Sequence, residues 1–415
     1  MKNDESLRNN KYIYTRKFII LYNRIIMKHI LSSVFGAGMA LALVSSCSQG
    51  GPELTASGLD PEAFDTVIND KPVALYTLRN GNGMEVCITN FGGRVVSLMV
   101  PDRNGELKDV VLGFDNVAQY ADTVNSPSDF GAAVGRYANR INKGRLAIDG
   151  KDIQLPVNNF GHCLHGGPSG WQYQVYDATQ PNDSTLELTM LSPDGDNNFP
   201  GNVRALVTYA VRSDNSLDIT YSATTDKPTV INMTNHSYFN LNGDPSMSVE
   251  NCLLHVNAYV YTPTDSTYMT TGDTAWVKGT PMDFMKPKEI GADVNNFGYK
   301  PIHNANGFDH NWCLATFHDG RGNDKQVAAT LYSPLTGIFL EVFTNEPGIQ
   351  VYTANFLDGS LTGKHGVKLG KHTGVCLETQ KFPDSPNKPK WPSALLLPGD
   401  RYYSHCVYKF SVVKE

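Results

Sequence analysis

Proton transfer on a polar ligand needs an imidazole or carboxylate held among other hydrogen-bonding groups, and this chain has several such segments. In Asn232-Met233-Thr234-Asn235-His236-Ser237-Tyr238-Phe239-Asn240, an extended backbone puts Asn232, Thr234, His236 and Tyr238 on one face. His236 there can donate or accept a proton near neutrality. On that segment alone, a structurally satisfied histidine is the simpler alternative. Glu378 follows the apolar run Val375-Cys376-Leu377. Partial desolvation at that point raises a carboxylate's pKa and makes it a better base; the alternative is a charge at a strand end facing water.

Three more clusters carry polar groups. Gly135-Arg136-Tyr137-Ala138-Asn139-Arg140-Ile141 holds two arginines and an amide, and the planar guanidinium suits a ligand's hydroxyls and developing charge, or else surface ion pairs. His162-Cys163-Leu164-His165-Gly166-Gly167 places histidines before a glycine pair that allows close ligand approach. A zinc reading of that cluster needs third and fourth ligands, and none is convincingly spaced, so no metal is expected. Gly307-Phe308-Asp309-His310-Asn311 adds another carboxylate.

The elements that must position these residues read as strands. Leu75–Leu78, the turn Asn80-Gly81-Asn82-Gly83 and Met84–Ile88 form one hairpin pattern. Arg204–Val211 with Leu217–Ala223 forms another, and Val95–Val100, Leu186–Met190, Ala328–Tyr332, Ile338–Thr344 and Ile349–Asn355 repeat the grammar. Short helices are expected only near Val117–Tyr120 and around Phe130–Asn139. Strands without helical crossovers predict an all-β fold, a large antiparallel β-sandwich, in one domain spanning 65–415.

The chain has 415 residues, with 35 Lys and Arg against 41 Asp and Glu for a net charge of −6. Opposite charges are interspersed and form no basic stripe, which argues against nucleic acid as a partner. The six cysteines after Cys47 are scattered singly, and reduced buried thiols are expected rather than a disulfide framework. From Met27, Lys28-His29 precede an apolar run, Ile30–Val44, that reads as a signal peptide. Residues 1–46 are accordingly assigned to an upstream segment plus signal, with Met27 the favoured start. Val44-Ser45-Ser46-Cys47 resembles a bacterial lipobox, which makes Cys47 the expected lipidated residue and 47–64 a tether. Export to the periplasm or to a membrane surface follows, with membrane contact only through that lipid.

Taken in order, Ala138-Asn139-Arg140-Ile141, Leu164-His165-Gly166-Gly167, Thr234–Leu241, Gly279-Thr280-Pro281-Met282-Asp283-Phe284, Phe308-Asp309-His310-Asn311 and Leu377–Asp384 resemble the aldose 1-epimerase (galactose mutarotase) family. The resemblance runs from about Val73 to the C-terminus. It implies a galactose mutarotase-like β-supersandwich and interconversion of the α and β anomers of a free monosaccharide, without a cofactor. It also implies roles: Glu378 as general base at the C1 hydroxyl, His236 as general acid at the ring oxygen, and His165, Arg140, Asn139 and Asp309 as sugar-binding residues. Two loops depart from the family pattern, Asp194–Gly201 and Tyr268–Gly272. The rival readings are a non-catalytic sugar-binding lipoprotein and a glycoside hydrolase using Asp309 with Glu378, in which His236 has no obvious task.

Overall fold

A computed structural model describes residues 53–126 and 128–414, so Cys47 and the signal segment lie outside the described residues. The expected hairpins are present. Leu75–Arg79 pairs antiparallel with Glu85–Thr89, and Val203–Val211 pairs with Ser216–Thr225 across nine residue pairs. The first hairpin belongs to a four-stranded antiparallel sheet and the second to a nine-stranded one, and the described residues also form a six-stranded antiparallel sheet. Described residues fall in one compact unit.

The nine-stranded sheet shows the alternation that a half-buried sheet requires. Along Thr185–Ser192, Leu186, Leu188 and Met190 are buried while Glu187, Thr189 and Leu191 are exposed. Its inner face meets the six-stranded sheet in a shared apolar core that includes Leu188, Val207, Leu340 and Tyr408 from one sheet and Trp312, Val351 and Leu377 from the other. Tyr408 seals the contact, its hydroxyl donating to the Leu377 carbonyl at 2.8 Å.

The six-stranded sheet is different because three of its strands are covered on both faces. Asp309–Cys313, Gly348–Tyr352 and Val375–Gln380 are buried almost throughout. Their period of two still sorts side chains. Trp312, Ile349, Val351, Val375 and Leu377 enter the core, and Asp309, Gln350, Tyr352, Cys376 and Glu378 take the other face. In register, Gln350 lies opposite Glu378, and Tyr352 lies opposite both Asp309 and Cys376.

Several expectations need correction. Phe130–Asn139 holds no helix but a turn and a short strand, Ala133–Val134, paired to Thr234–Asn235. Gly131 enters this pairing at φ +68° and so close to Val95 that a Cβ would come within 2.0 Å of the Val95 carbonyl oxygen. A short helix forms instead at Lys300–Ala305, in addition to the expected one at Val117–Ala121. Packing also begins before Asp65, because Leu59 and Phe64 are buried against Val73 and Tyr120, and the Ala56 amide donates to Glu85 at 2.7 Å. The six described cysteines are free.

Arg94, fully buried, ties the loop before Ala132 to the sheet. Its Nη1 donates to the Ser128 and Phe130 carbonyls at 3.2 and 3.1 Å, and Nη2 to the Gln172 carbonyl at 2.9 Å. The rings of Tyr120 and Tyr173 lie 5.2 and 5.7 Å from the guanidinium. Replacing Arg94 by Met leaves those buried carbonyls without a donor, and a stability loss of about 3 kcal/mol is expected. Urea unfolding of Arg94→Met against the parent measures it; an unchanged midpoint would refute the assignment.

Candidate active site

The polar face of the six-stranded sheet forms the floor of a cleft of about 150 Å³. Its lining includes all six residues expected from the sequence: Asn139, Arg140, His165, His236, Asp309 and Glu378.

His236 reaches the cleft from a gap between two short strand pieces, Thr234–Asn235 and Tyr238–Phe239. Its amide donates to the Ala132 carbonyl at 2.9 Å, and its carbonyl accepts from the Gly131 amide at 3.0 Å. The ring stacks on Tyr238 at 5.1 Å, and its Nε2 lies 3.6 Å from Glu378 Oε1. Of the face expected from the sequence, His236 and Tyr238 line the cleft. Asn232 turns elsewhere, bonding to the Ala138 carbonyl and the Lys381 amide.

Glu378 sits within its strand rather than at a strand end, 2% exposed, with Oε2 buried and lacking a hydrogen-bond partner. Burial, then Asp309 and Asp129, push its carboxyl well above the usual carboxylate range, and Arg140 opposes them. Burial pushes the His236 imidazole down, with Asp129 opposing most strongly. Burial thus opposes the charge on each group, which suits the pair to exchanging a proton rather than to standing as a fixed salt bridge.

His165 is held in a defined tautomer. The Asn139 amide donates to its Nδ1 at 3.1 Å, so in the neutral ring Nε2 carries the hydrogen and is a donor. Burial lowers its pKa to about 3, which keeps the ring neutral across the physiological range. The same hydrogen bond disfavours metal ligation: Asp129, His165 and His236 converge within 4.8 Å, but a metal on Nε2 would require a hydrogen on Nδ1, where a donor already points.

Arg140 is anchored at Asn159, whose Oδ1 accepts from Nη2 at 3.0 Å, and its guanidinium lies 5.0 Å from the Tyr268 ring. Asp309 accepts from Gln350 Nε2 at 2.6 Å. Burial raises its pKa, and Arg140 and then that hydrogen bond counter the rise. A donor in Arg140 and an acceptor in Asp309, both buried on the lining, suit a ligand rich in hydroxyls.

Other motif residues serve the scaffold. Arg136 donates to the Pro200 carbonyl and to Ser192 Oγ, away from the cleft. His162 accepts from the Lys143 amide and meets Thr267 through its other nitrogen, while Cys163 packs in an apolar cluster. Gly166 permits backbone approach rather than ligand approach, since a Cβ there would lie 2.2 Å from the Gly135 carbonyl oxygen.

Comparison with known proteins agrees with this geometry. The family model for aldose 1-epimerase matches residues 74–409. The chain belongs to the aldose 1-epimerase family. As a member it is an isomerase that interconverts anomers of an aldose. It is 41% identical to galactose mutarotase from Mus musculus over 340 residues, 82% of this chain and 94% of that protein. It is 36% identical to aldose 1-epimerase from Escherichia coli, covering 82% of this chain and 96% of that one. A solved aldose epimerase homologue from C. elegans superposes with a TM-score of 0.75 at 29% identity, covering 82% of this chain and all of the other. Galactose 1-epimerase from Lactobacillus acidophilus gives 0.72 at 29% identity, over 84% and 97%.

Asp129, Asn159, Tyr352 and Phe356 line the cleft from outside the family motifs, and Leu164 lines it from within one without having been singled out. Tyr352 was accessible to strand periodicity, two residues from Gln350 on the polar face. Asp129 and Asn159 lie in irregular segments whose position depends on long-range contacts, Arg94 to the Asp129 loop and Arg140 to Asn159.

Proposed function

We propose that the protein opens and recloses the ring of a free aldohexose such as galactose or glucose, with Glu378 and His236 as the proton-transfer pair. Glu378 takes the proton from the C1 hydroxyl while His236 gives one to the ring oxygen, and the C1–ring oxygen bond breaks to leave an open aldehyde. Rotation about C1–C2 presents the other carbonyl face. The two groups then reverse roles and close the ring as the opposite anomer.

The observation that carries this reading is the buried carboxyl–imidazole pair 3.6 Å apart. Glu378 gains a proton when His236 loses one, so the pair ends with the proton count it began with. In this reading the neutral Nε2–H of His165 donates to the reacting end of the sugar, and Arg140, Asn139 and Asp309 hold its hydroxyls through ring opening. A sugar-binding protein without turnover would have no use for a desolvated carboxyl beside an imidazole. Polarimetry of freshly dissolved α-D-galactose, α-D-glucose, xylose and arabinose tests the reading. Faster approach to the spontaneous end-point with at least one of them is expected, and no acceleration with any would contradict it.

The same proposal places the enzyme outside the cytoplasm, as a lipoprotein anchored through Cys47, on the strength of the apolar run and lipobox-like ending alone. Metabolic labelling with a fatty acid should mark the protein and fail to mark Cys47→Ala. Label that survives the substitution would refute the anchor.

A further inference from the structure

We propose that Cys376 is a positioning residue for His236, holding the imidazole at Nδ1 so that Nε2 is the nitrogen that exchanges its proton with the sugar. The inference rests on the acid–base reading above. Its basis is the geometry of one strand: Cys376 and Glu378 are two residues apart in Val375–Gln380 and so face the same way. Cys376 Sγ lies 3.5 Å from His236 Nδ1, and Glu378 Oε1 lies 3.6 Å from Nε2. A single strand face therefore engages both nitrogens of the ring.

Neighbouring rings restrict the imidazole further. Tyr238, opposite Cys376 in register, stacks on it at an interplanar angle of 21°. His165 meets it edge-on at 5.3 Å. Within that slot, the ring's remaining choice is which nitrogen keeps its hydrogen when neutral. The 3.5 Å contact can run in either direction; with Sγ taken as the acceptor from Nδ1–H, the neutral ring retains its hydrogen there. Nε2 is then bare after it has protonated the ring oxygen and is ready to take the proton back.

The chemistry of a thiol fits this task. A carboxylate at Nδ1 would stabilise the imidazolium and hold the proton on the ring. Cys376 is fully buried, and burial pushes its thiol pKa well above the ordinary value, so it stays neutral and does not compete for the transferred proton.

The test compares full-length Cys376→Ala and Cys376→Ser with the parent by ring-nitrogen NMR of histidine and by mutarotation kinetics. In the parent and in Cys376→Ser, whose hydroxyl oxygen can accept the same hydrogen bond, neutral His236 should carry its hydrogen on Nδ1. In Cys376→Ala the population should move toward the Nε2 tautomer, with kcat down roughly fivefold, the factor expected for one modest hydrogen bond, and KM unchanged. Parental tautomer and kcat in the alanine variant would overturn the proposal, as would loss of the Nδ1 tautomer in the serine variant. The tautomer is read without turnover. A parent with no mutarotase activity would therefore count against the epimerase reading and leave this measurement to decide the role of Cys376.

Discussion

Glu378→Gln should lower kcat for mutarotation roughly a thousandfold, within the range that general acid–base groups contribute, and leave KM within a few-fold of the parent. Glutamine matches the carboxyl in shape but cannot take the C1 hydroxyl proton. Sugar binding should persist because Arg140, Asn139, Asp309 and His165 are untouched. The fold should not suffer: Glu378 Oε2 has no hydrogen-bond partner, and burial already disfavours its charged form. Thermal unfolding of the variant is therefore expected at or above the parent's midpoint, since functional carboxyls are often held at a cost to stability. Parental kcat in a folded variant would remove Glu378 from the mechanism.

The second large effect is expected for His236→Asn. Loss of the group that protonates the ring oxygen should reduce kcat roughly a hundredfold or more. The informative comparison is with the double variant. Because Glu378 and His236 move one proton count between them, the pair should behave as a unit, and the double variant should be little worse than Glu378→Gln alone. Multiplicative losses would mean that the two groups act in separate steps.

Much of this was legible in the sequence, for reasons that differ by element. Hairpins such as Leu75–Thr89 follow from alternation and turn residues, which are local signals. Ordered motifs identified the six expected cleft residues because chain order survives even when the segments are far apart. The helix at Lys300–Ala305 was missed because so short an element shows little periodicity. The run before Arg140 is not helical because Ala133–Val134 pairs with the sequence-distant Thr234–Asn235, and nothing local announces that pairing.

Glu378 illustrates the limit best. The apolar run before it suggested a strand end, with either partial desolvation or exposure to water. The strand instead continues to Gln380 in a sheet covered on both faces, and the carboxyl is almost wholly enclosed. Sequence alternation identified which side chains share a face, but only the packed sheets determine whether that face meets water or lines a cleft. Desolvation, the property that makes Glu378 a base near neutrality, belongs to the tertiary structure.

The most direct test of the central claim compares α-D-galactose with methyl α-D-galactoside under the same protein concentration. The free sugar has a C1 hydroxyl proton for Glu378 to remove, and the methyl glycoside does not. Optical rotation of galactose should reach its spontaneous end-point faster than in buffer, while the glycoside's rotation stays constant and no methanol appears. An unaccelerated galactose trace, or methanol released from the glycoside, would contradict ring opening by this acid–base pair.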